Sequence, residues 1–211
     1  MKKYLVIGNP IKHSLSPKLH NHWIRQNHLN AIYEKKKLDS SEIEKLISEI
    51  KQKNISGVNI TVPFKNSVMP YLDELSDEAK KTQSVNTVYL KDEKVIGHNT
   101  DTVGFEKAIK KINFSFNNKK IFILGAGGVV PSIVYSSIKM GSSKIFVSNR
   151  TKSKAEKVKE IFDKIQVVNW GDMPNFDVVI NATSLGLNKD DKINLDFTKI
   201  GKNKLFYDVI Y

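Results

Sequence analysis

Apolar residues in this chain fall into short continuous runs separated by stretches in which they recur every three to four positions. The runs at 3–8, 31–36 and 57–62 read as strands, while helical spacing occupies 17–28 and 40–53, where Ile43, Leu46, Ile47 and Ile50 share one face. That alternation predicts an α/β unit with parallel strands. Residues 86–90 and 94–98 read as a hairpin turning through Lys91-Asp92-Glu93, and a helix is expected from Asp101, whose carboxylate can cap it. The stretch Asn113-Phe114-Ser115-Phe116-Asn117-Asn118 has turn composition and reads as the best linker. A second α/β pattern follows, with strands at 120–124, 144–148, 165–168, 177–181 and 204–209 and helices at 128–140 and 152–163. Neither a repeat nor a low-complexity tract is visible.

Composition narrows the picture. A length of 211 residues allows one large domain or two modest ones, each with a real core. The absence of Cys excludes disulfides, thiolate metal sites and a cysteine nucleophile, and fits a reducing compartment. No apolar run reaches the roughly 18 residues of a membrane span, and the apolar stretch after Met1 is too short for a signal peptide. A cytoplasmic protein without a membrane partner is expected. The net charge of +12 invites a nucleic-acid reading, but only Arg25 and Arg150 are arginines and the lysines spread along helices. The excess reads as a lysine-biased surface that steers small anions, so no nucleic-acid partner is expected.

Candidate chemistry sits where strands end. Lys120-Ile121-Phe122-Ile123-Leu124 runs into Gly125-Ala126-Gly127-Gly128 and then a helical pattern, placing small residues where backbone N–H groups and a helix N-terminus can meet a pyrophosphate. Val130 at the sixth position departs from the full glycine pattern, and a ligand-free glycine turn stays open on this motif alone. The next strand ends in Ser148-Asn149-Arg150-Thr151, with no carboxylate to hold a ribose 2′-hydroxyl and with an arginine, two hydroxyls and an amide for a 2′-phosphate. NADP is favoured over NAD on charge, while Ser148 or Asn149 could also cap the next helix. In the first half, Ser14 and Ser16 precede Pro17, with Ser16 read as a helix N-cap, and two hydroxyls beside free helical N–H groups suit a small carboxylate. Lys65 follows a strand that Pro63 stops, and Asp101 closes His98-Asn99-Thr100-Asp101. If Asp101 reaches Lys65, the pair can pass a proton to a bound oxygen; two surface charges or a structural ion pair are the plainer alternatives. The histidines are scattered and no metal site is assigned.

Together these motifs resemble the shikimate dehydrogenase family: Gly8-Asn9-Pro10-Ile11 with Ser14-Leu15-Ser16-Pro17, Gly57 to Lys65, Val85-Asn86-Thr87, Gly97 to Phe105, Gly125 to Gly128, Asn149-Arg150-Thr151, Asn181 to Gly186 and Tyr207 to Tyr211, in that order. The resemblance implies an α/β fold of two domains. One, over 1–101, would be a substrate-binding and catalytic domain with a mainly parallel sheet; the other, over 102–211, a Rossmann-like NADP-binding domain, with the active-site cleft between them. It implies reversible NADPH-dependent reduction of 3-dehydroshikimate to shikimate, in aromatic amino acid biosynthesis, by a monomer or homodimer. Ser14 and Ser16 would hold the substrate carboxylate, and Asn59, Thr61, Lys65, Asn86 and Asp101 the ring hydroxyls and the reacting oxygen. Tyr211 would close over the substrate. Gly125, Ala126, Gly127 and Gly128 would take the pyrophosphate, Val129 would also bind the cofactor, and Asn149, Arg150, Thr151 and Lys154 would take the 2′-phosphate. Asp77 and Val209 match positions near the nicotinamide. Which of Lys65 and Asp101 is the formal acid or base stays open, since a coupled pair titrates together.

Departures from the family pattern are Gln83-Ser84 where Gly-Ala is usual, Val129-Val130-Pro131 where small residues are usual, and Leu187 where methionine is common. Family members also continue past the segment matching Tyr207–Tyr211 into helices carrying a substrate-contacting glutamine, so a gene fragment or natural short form is expected. A quinate/shikimate dehydrogenase of looser specificity and a non-catalytic NADP-binding protein are the alternatives.

Overall fold

The structure is a computed structural model that describes residues 1–193, 195–196, 198 and 200–210. The chain divides into two compact units, Met1–Thr100 and Asp101–Tyr211.

The first unit holds a six-stranded mixed sheet. Its strands are β1 (Lys2–Gly8), β2 (Ala31–Lys37), β3 (Gly57–Ile60), β4 (Glu74–Leu75), β5 (Thr87–Lys91) and β6 (Lys94–His98), in the order β2-β1-β3-β5-β6-β4. β1 pairs in parallel with β2 and β3, and β4 with β6, whereas β5 runs antiparallel to both β3 and β6. Helix α1 (Ser16–Gln26) packs on β2, and α2 (Ile43–Lys51) buries Ile43, Leu46, Ile47 and Ile50 in a core with Leu5, Ile7, Val58 and Ile60. Burying four such side chains contributes roughly 6–12 kcal/mol before chain entropy is counted.

Four short elements lie outside the expected pattern: α3 (Phe64–Ser67), a 3-10 turn over Met69–Tyr71, β4 and α4 (Asp77–Thr82). Each is too brief to show a period, and Ser76 caps α4 by accepting the Ala79 N–H at 3.2 Å. The strand expected over 57–62 ends at Ile60: Thr61 N–H still makes the parallel bond to Ile7 O, but its carbonyl closes a turn by accepting from Phe64 N–H at 3.0 Å, and Pro63 has no N–H to continue the ladder. Ser16 is not an N-cap. The helix already includes it and begins after Leu15, and the Ser16 N–H is instead received by the Ser14 hydroxyl at 3.4 Å.

The second unit is an all-parallel sheet of β7 (Lys120–Leu124), β8 (Lys144–Ser148), β9 (Ile165–Val168), β10 (Val178–Asn181) and β11 (Leu205–Asp208), ordered β11-β10-β7-β8-β9. The central strand β7 is buried on both faces, so its alternate residues enter different cores: Ile121 and Ile123 join Ile133 and Val158, while Phe122 and Leu124 join Phe146 and Phe176. The helices are α5 (Asp101–Lys111), α6 (Val130–Lys139) and α7 (Lys152–Ile161). The segment 113–118 is not an interdomain linker. It joins α5 to β7 inside this unit, and Phe116 is fully buried against Phe105 at a ring separation of 5.9 Å. Its asparagines and serine make the turn, while its aromatics anchor it.

Candidate active site

In the first unit, the loops after β1 and β3 meet because Gly8 has no side chain. A Cβ there would lie 2.6 Å from Thr61 Cγ2. Asn9 N–H donates to Val62 O at 2.9 Å across the same gap. Thr61 and Lys65 are both half-buried. Lys65 sits in α3 beside the buried Phe64, and its carbonyl accepts the Val85 N–H at 2.7 Å, so the lysine backbone is tied to the strand entering β5.

Beside these loops runs a chain of side-chain hydrogen bonds. Tyr33, 5% exposed, donates its hydroxyl to Asn59 Oδ1 at 2.6 Å and is also hydrogen-bonded by the Ser16 side chain. Asn59 Nδ2 donates to Thr87 Oγ1 at 3.1 Å and to Asn86 O at 3.3 Å. Asn86 then locks the approach to Asp101: its Oδ1 accepts from Thr100 N–H at 2.9 Å and from Thr87 Oγ1 at 3.0 Å, and its Nδ2 donates to Thr100 Oγ1 at 2.9 Å. Burial pushes the Tyr33 phenol far above its ordinary value, with the Ser16 bond opposing, so it stays a neutral donor. The His20 ring stacks on it at 4.2 Å, and Asn21 holds the Tyr33 backbone through its N–H (3.0 Å) and carbonyl (2.7 Å).

The structure thus brings Ser16, Asn59 and Asn86 into one network, with Ser14 at the turn preceding α1. It adds Tyr33, His20, Thr87 and Thr100, which sequence reasoning missed. Strand register could have found Thr87, which pairs with Asn59 across β3 and β5, whereas His20 lies on α1 and Thr100 follows β6. Asp77 opens α4 and Asp101 opens α5, each carboxylate lying in a first helical turn where the helix dipole favours it.

The second unit presents a cavity of about 270 Å³ at the C-terminal ends of its strands. Gly125, Ala126 and Gly127 line it on one side, Asn149, Arg150, Thr151 and Lys154 on another, with Trp170 and residues 182–185 completing the wall. Gly125 has φ 108°, and a Cβ on it would come 2.5 Å from Ala182 O, so only glycine lets β7 turn beside β10. A Cβ at Gly127 would meet nothing within 4 Å: that backbone faces open space, as a phosphate cradle requires. Gly128 and Val129 follow on the way into α6. Arg150, Thr151 and Lys154 are exposed. Ser148 is turned inward, fully buried and bonded to Asn169 O at 3.0 Å, so it offers no hydroxyl to a phosphate. Nor does it or Asn149 cap α7, whose N-cap position is Thr151. An open glycine backbone facing a guanidinium and an ammonium fits a 2′-phosphorylated dinucleotide.

Asn181 knots the far wall. Its Oδ1 accepts from Thr183 N–H and Oγ1 at 3.1 and 2.7 Å, and its Nδ2 donates to Leu185 O and Asp208 Oδ2 at 3.0 and 3.1 Å. Val209 donates its N–H to Asn181 O at 3.1 Å. Tyr211 lies outside the described residues. Among the described residues no group of three or more His, Asp or Glu side chains could hold a metal ion, and no helix is long and apolar enough to cross a membrane.

A family model for the shikimate dehydrogenase substrate-binding domain matches residues 6–88, and one for shikimate/quinate 5-dehydrogenase matches residues 106–196. A curated shikimate dehydrogenase (NADP(+)) of Pelagibacter ubique is 55% identical over 210 residues, covering 100% of this chain and 79% of its own. The chain belongs to the shikimate dehydrogenase family. The crystal structure of shikimate dehydrogenase from Aquifex aeolicus superposes with a TM-score of 0.91 at 38% identity, over 100% of this chain and 79% of that one. Shikimate 5-dehydrogenase of Thermus thermophilus, solved with NADP(H) and shikimate, gives 0.78 at 30% identity over 89% of this chain and 70% of its own. The second unit accordingly has the Rossmann-like architecture of the family.

Proposed function

We propose that this chain catalyses the reversible NADPH-dependent reduction of 3-dehydroshikimate to shikimate. The observation that carries the reading most is the 55% identity to an NADP-dependent shikimate dehydrogenase along the whole chain. Residues 1–101 form the substrate-binding domain and 102–211 the NADP-binding domain. Ser14 and Ser16 hold the carboxylate, and Asn59, Thr61 and Asn86 bind ring hydroxyls. Their amides are held in one orientation by Tyr33, Thr87 and Thr100, so binding requires little reordering. When bound, NADPH supplies the hydride that reduces the ketone carbon. As negative charge grows on the ketone oxygen, the Lys65 ammonium stabilises it and delivers a proton, and Asp101 orients the lysine and a substrate hydroxyl. Gly125 to Val129 face the pyrophosphate, Asn149, Arg150, Thr151 and Lys154 the 2′-phosphate, and Asp77, Val209 and Tyr211 complete the surroundings of nicotinamide and substrate. The enzyme acts in the cytoplasm on small molecules, as a monomer or homodimer, without a nucleic-acid partner.

The test is NADP⁺ reduction by the purified chain with shikimate, with quinate, and with NAD⁺ in place of NADP⁺. Shikimate with NADP⁺ is the expected best pair. Preference for quinate would replace the proposal with the broader quinate/shikimate activity, and NADPH binding without any turnover would leave a binding protein.

A further inference from the structure

Strands β8 and β9 are paired in parallel with Ser148 opposite Val168, so the loops that follow, Asn149-Arg150-Thr151 and Asn169-Trp170-Gly171, leave the sheet side by side. The second loop is tied to the first. Asn169 O accepts from Ser148 Oγ at 3.0 Å, Asn169 Oδ1 accepts from Lys152 Nζ at 3.2 Å, and Asn169 Nδ2 donates to Asp172 at 3.1 Å. Gly171, at φ 98°, turns the chain away immediately afterwards. Trp170 is thereby fixed in place: it packs on the Phe122, Phe146 and Phe176 cluster and also lines the cavity that holds Arg150 and Lys154.

We propose that Trp170 is the stacking platform for the adenine ring, and that it sets dinucleotide affinity while Arg150 sets the choice of NADP over NAD. This rests on the cofactor reading above. The 2′-phosphate is carried by the same ribose as adenine, so a phosphate at Arg150 puts the base within the reach of the neighbouring loop. An indole there offers a rigid π face at little entropic cost, and base–aromatic stacking changes affinity by about fivefold to a hundredfold. Adenine is common to NADPH and NADH, whereas the phosphate is not. The two residues therefore act on different quantities.

Calorimetric titration of the full chain with NADPH, NADH and adenosine 2′,5′-bisphosphate tests the division. Trp170→Leu, which keeps an apolar side chain on the core, is expected to weaken all three by the same factor of about 10, with Trp170→Phe recovering most of the loss. Unchanged affinity, or a loss confined to the phosphorylated ligands, overturns the proposal. A readout that does not depend on the variant's folding comes from Trp23→Phe, which leaves Trp170 as the one tryptophan of two. Adenosine 2′,5′-bisphosphate, which lacks nicotinamide, should then quench or shift the remaining emission, and saturation without any spectral change also overturns it. Failure of the unaltered chain to bind NADPH would instead sink the cofactor reading itself.

Discussion

The two candidate sites are built in opposite ways. In the first unit, side chains far apart in sequence hold one another: Tyr33, Asn59, Asn86 and Thr100 spend most of their hydrogen-bonding capacity inside the protein. In the second, the phosphate side is backbone and strand register, with exposed cations at the rim and glycine where a side chain would collide. If the proposed substrate site is right, the first arrangement would tell similar hydroxylated rings apart by the few donors and acceptors it leaves fixed toward the ligand. The second tolerates change at its rim but not at the turn that shapes it.

The contrast is broken most severely at Lys65. Lys65→Ala is expected to lower kcat by about 10²–10⁴ while the NADPH dissociation constant stays within about twofold; comparable losses of both, in steady-state kinetics and cofactor titration, would remove the lysine from the chemistry. The glycines divide the second pocket into shape and ligand contact. Gly125→Ala must push a methyl into Ala182 O from a left-handed backbone, and should cost about 3 kcal/mol in chemical denaturation, whereas Gly127→Ala should leave stability unchanged and weaken NADPH alone. Equal stabilities would show that the turn is not set by sterics.

Tyr33→Phe sharpens the comparison from the other side. With Asn59 Oδ1 and the Ser16 hydroxyl losing their partner, KM for shikimate should rise about tenfold with kcat nearly kept and stability lowered by about 1 kcal/mol. A fall in kcat at constant KM would place Tyr33 in the chemical step. The smallest effect belongs to Gln83, which holds φ 49° at the end of α4 and bonds its side chain to Lys80 O at 2.8 Å. Gln83→Gly should raise unfolding free energy by roughly 0.5–1 kcal/mol by removing left-handed strain; a loss of stability would show that the side-chain bond outweighs it.

How much of this could be read in the chain follows the same division. The long strands and helices were legible because their apolar residues repeat often enough to fix a period, and β8 and β9 fall within the expected bounds. The stretch from Phe64 to Thr82 was not, since its elements of two to six residues are defined by contacts with β6 and the core. The glycine turn between β7 and α6 was legible because it is local: strand, glycines and helix lie in one segment. The partners of Asn59 were not, as Tyr33 lies 26 residues before it and Thr87 28 after, and only the sheet brings them together. Phe114 and Phe116 misled for a related reason, since flanking Asn and Ser described the turn while burial was decided by Phe105 and the sheet beyond.

The lysines first set aside as surface bias have a place in the architecture. β2 is an open edge of the first sheet, and its last three residues, Lys35, Lys36 and Lys37, are all exposed. Two such edges meeting would set ammonium groups against one another, while the opposite edge, β4, offers only two residues to a visitor. Colloidal behaviour should therefore depend on the counterions present. Dilute buffer keeps the molecules apart, and above about 0.1 M salt, where screening shortens to about 10 Å, that repulsion fades and crowding or crystal growth becomes easier.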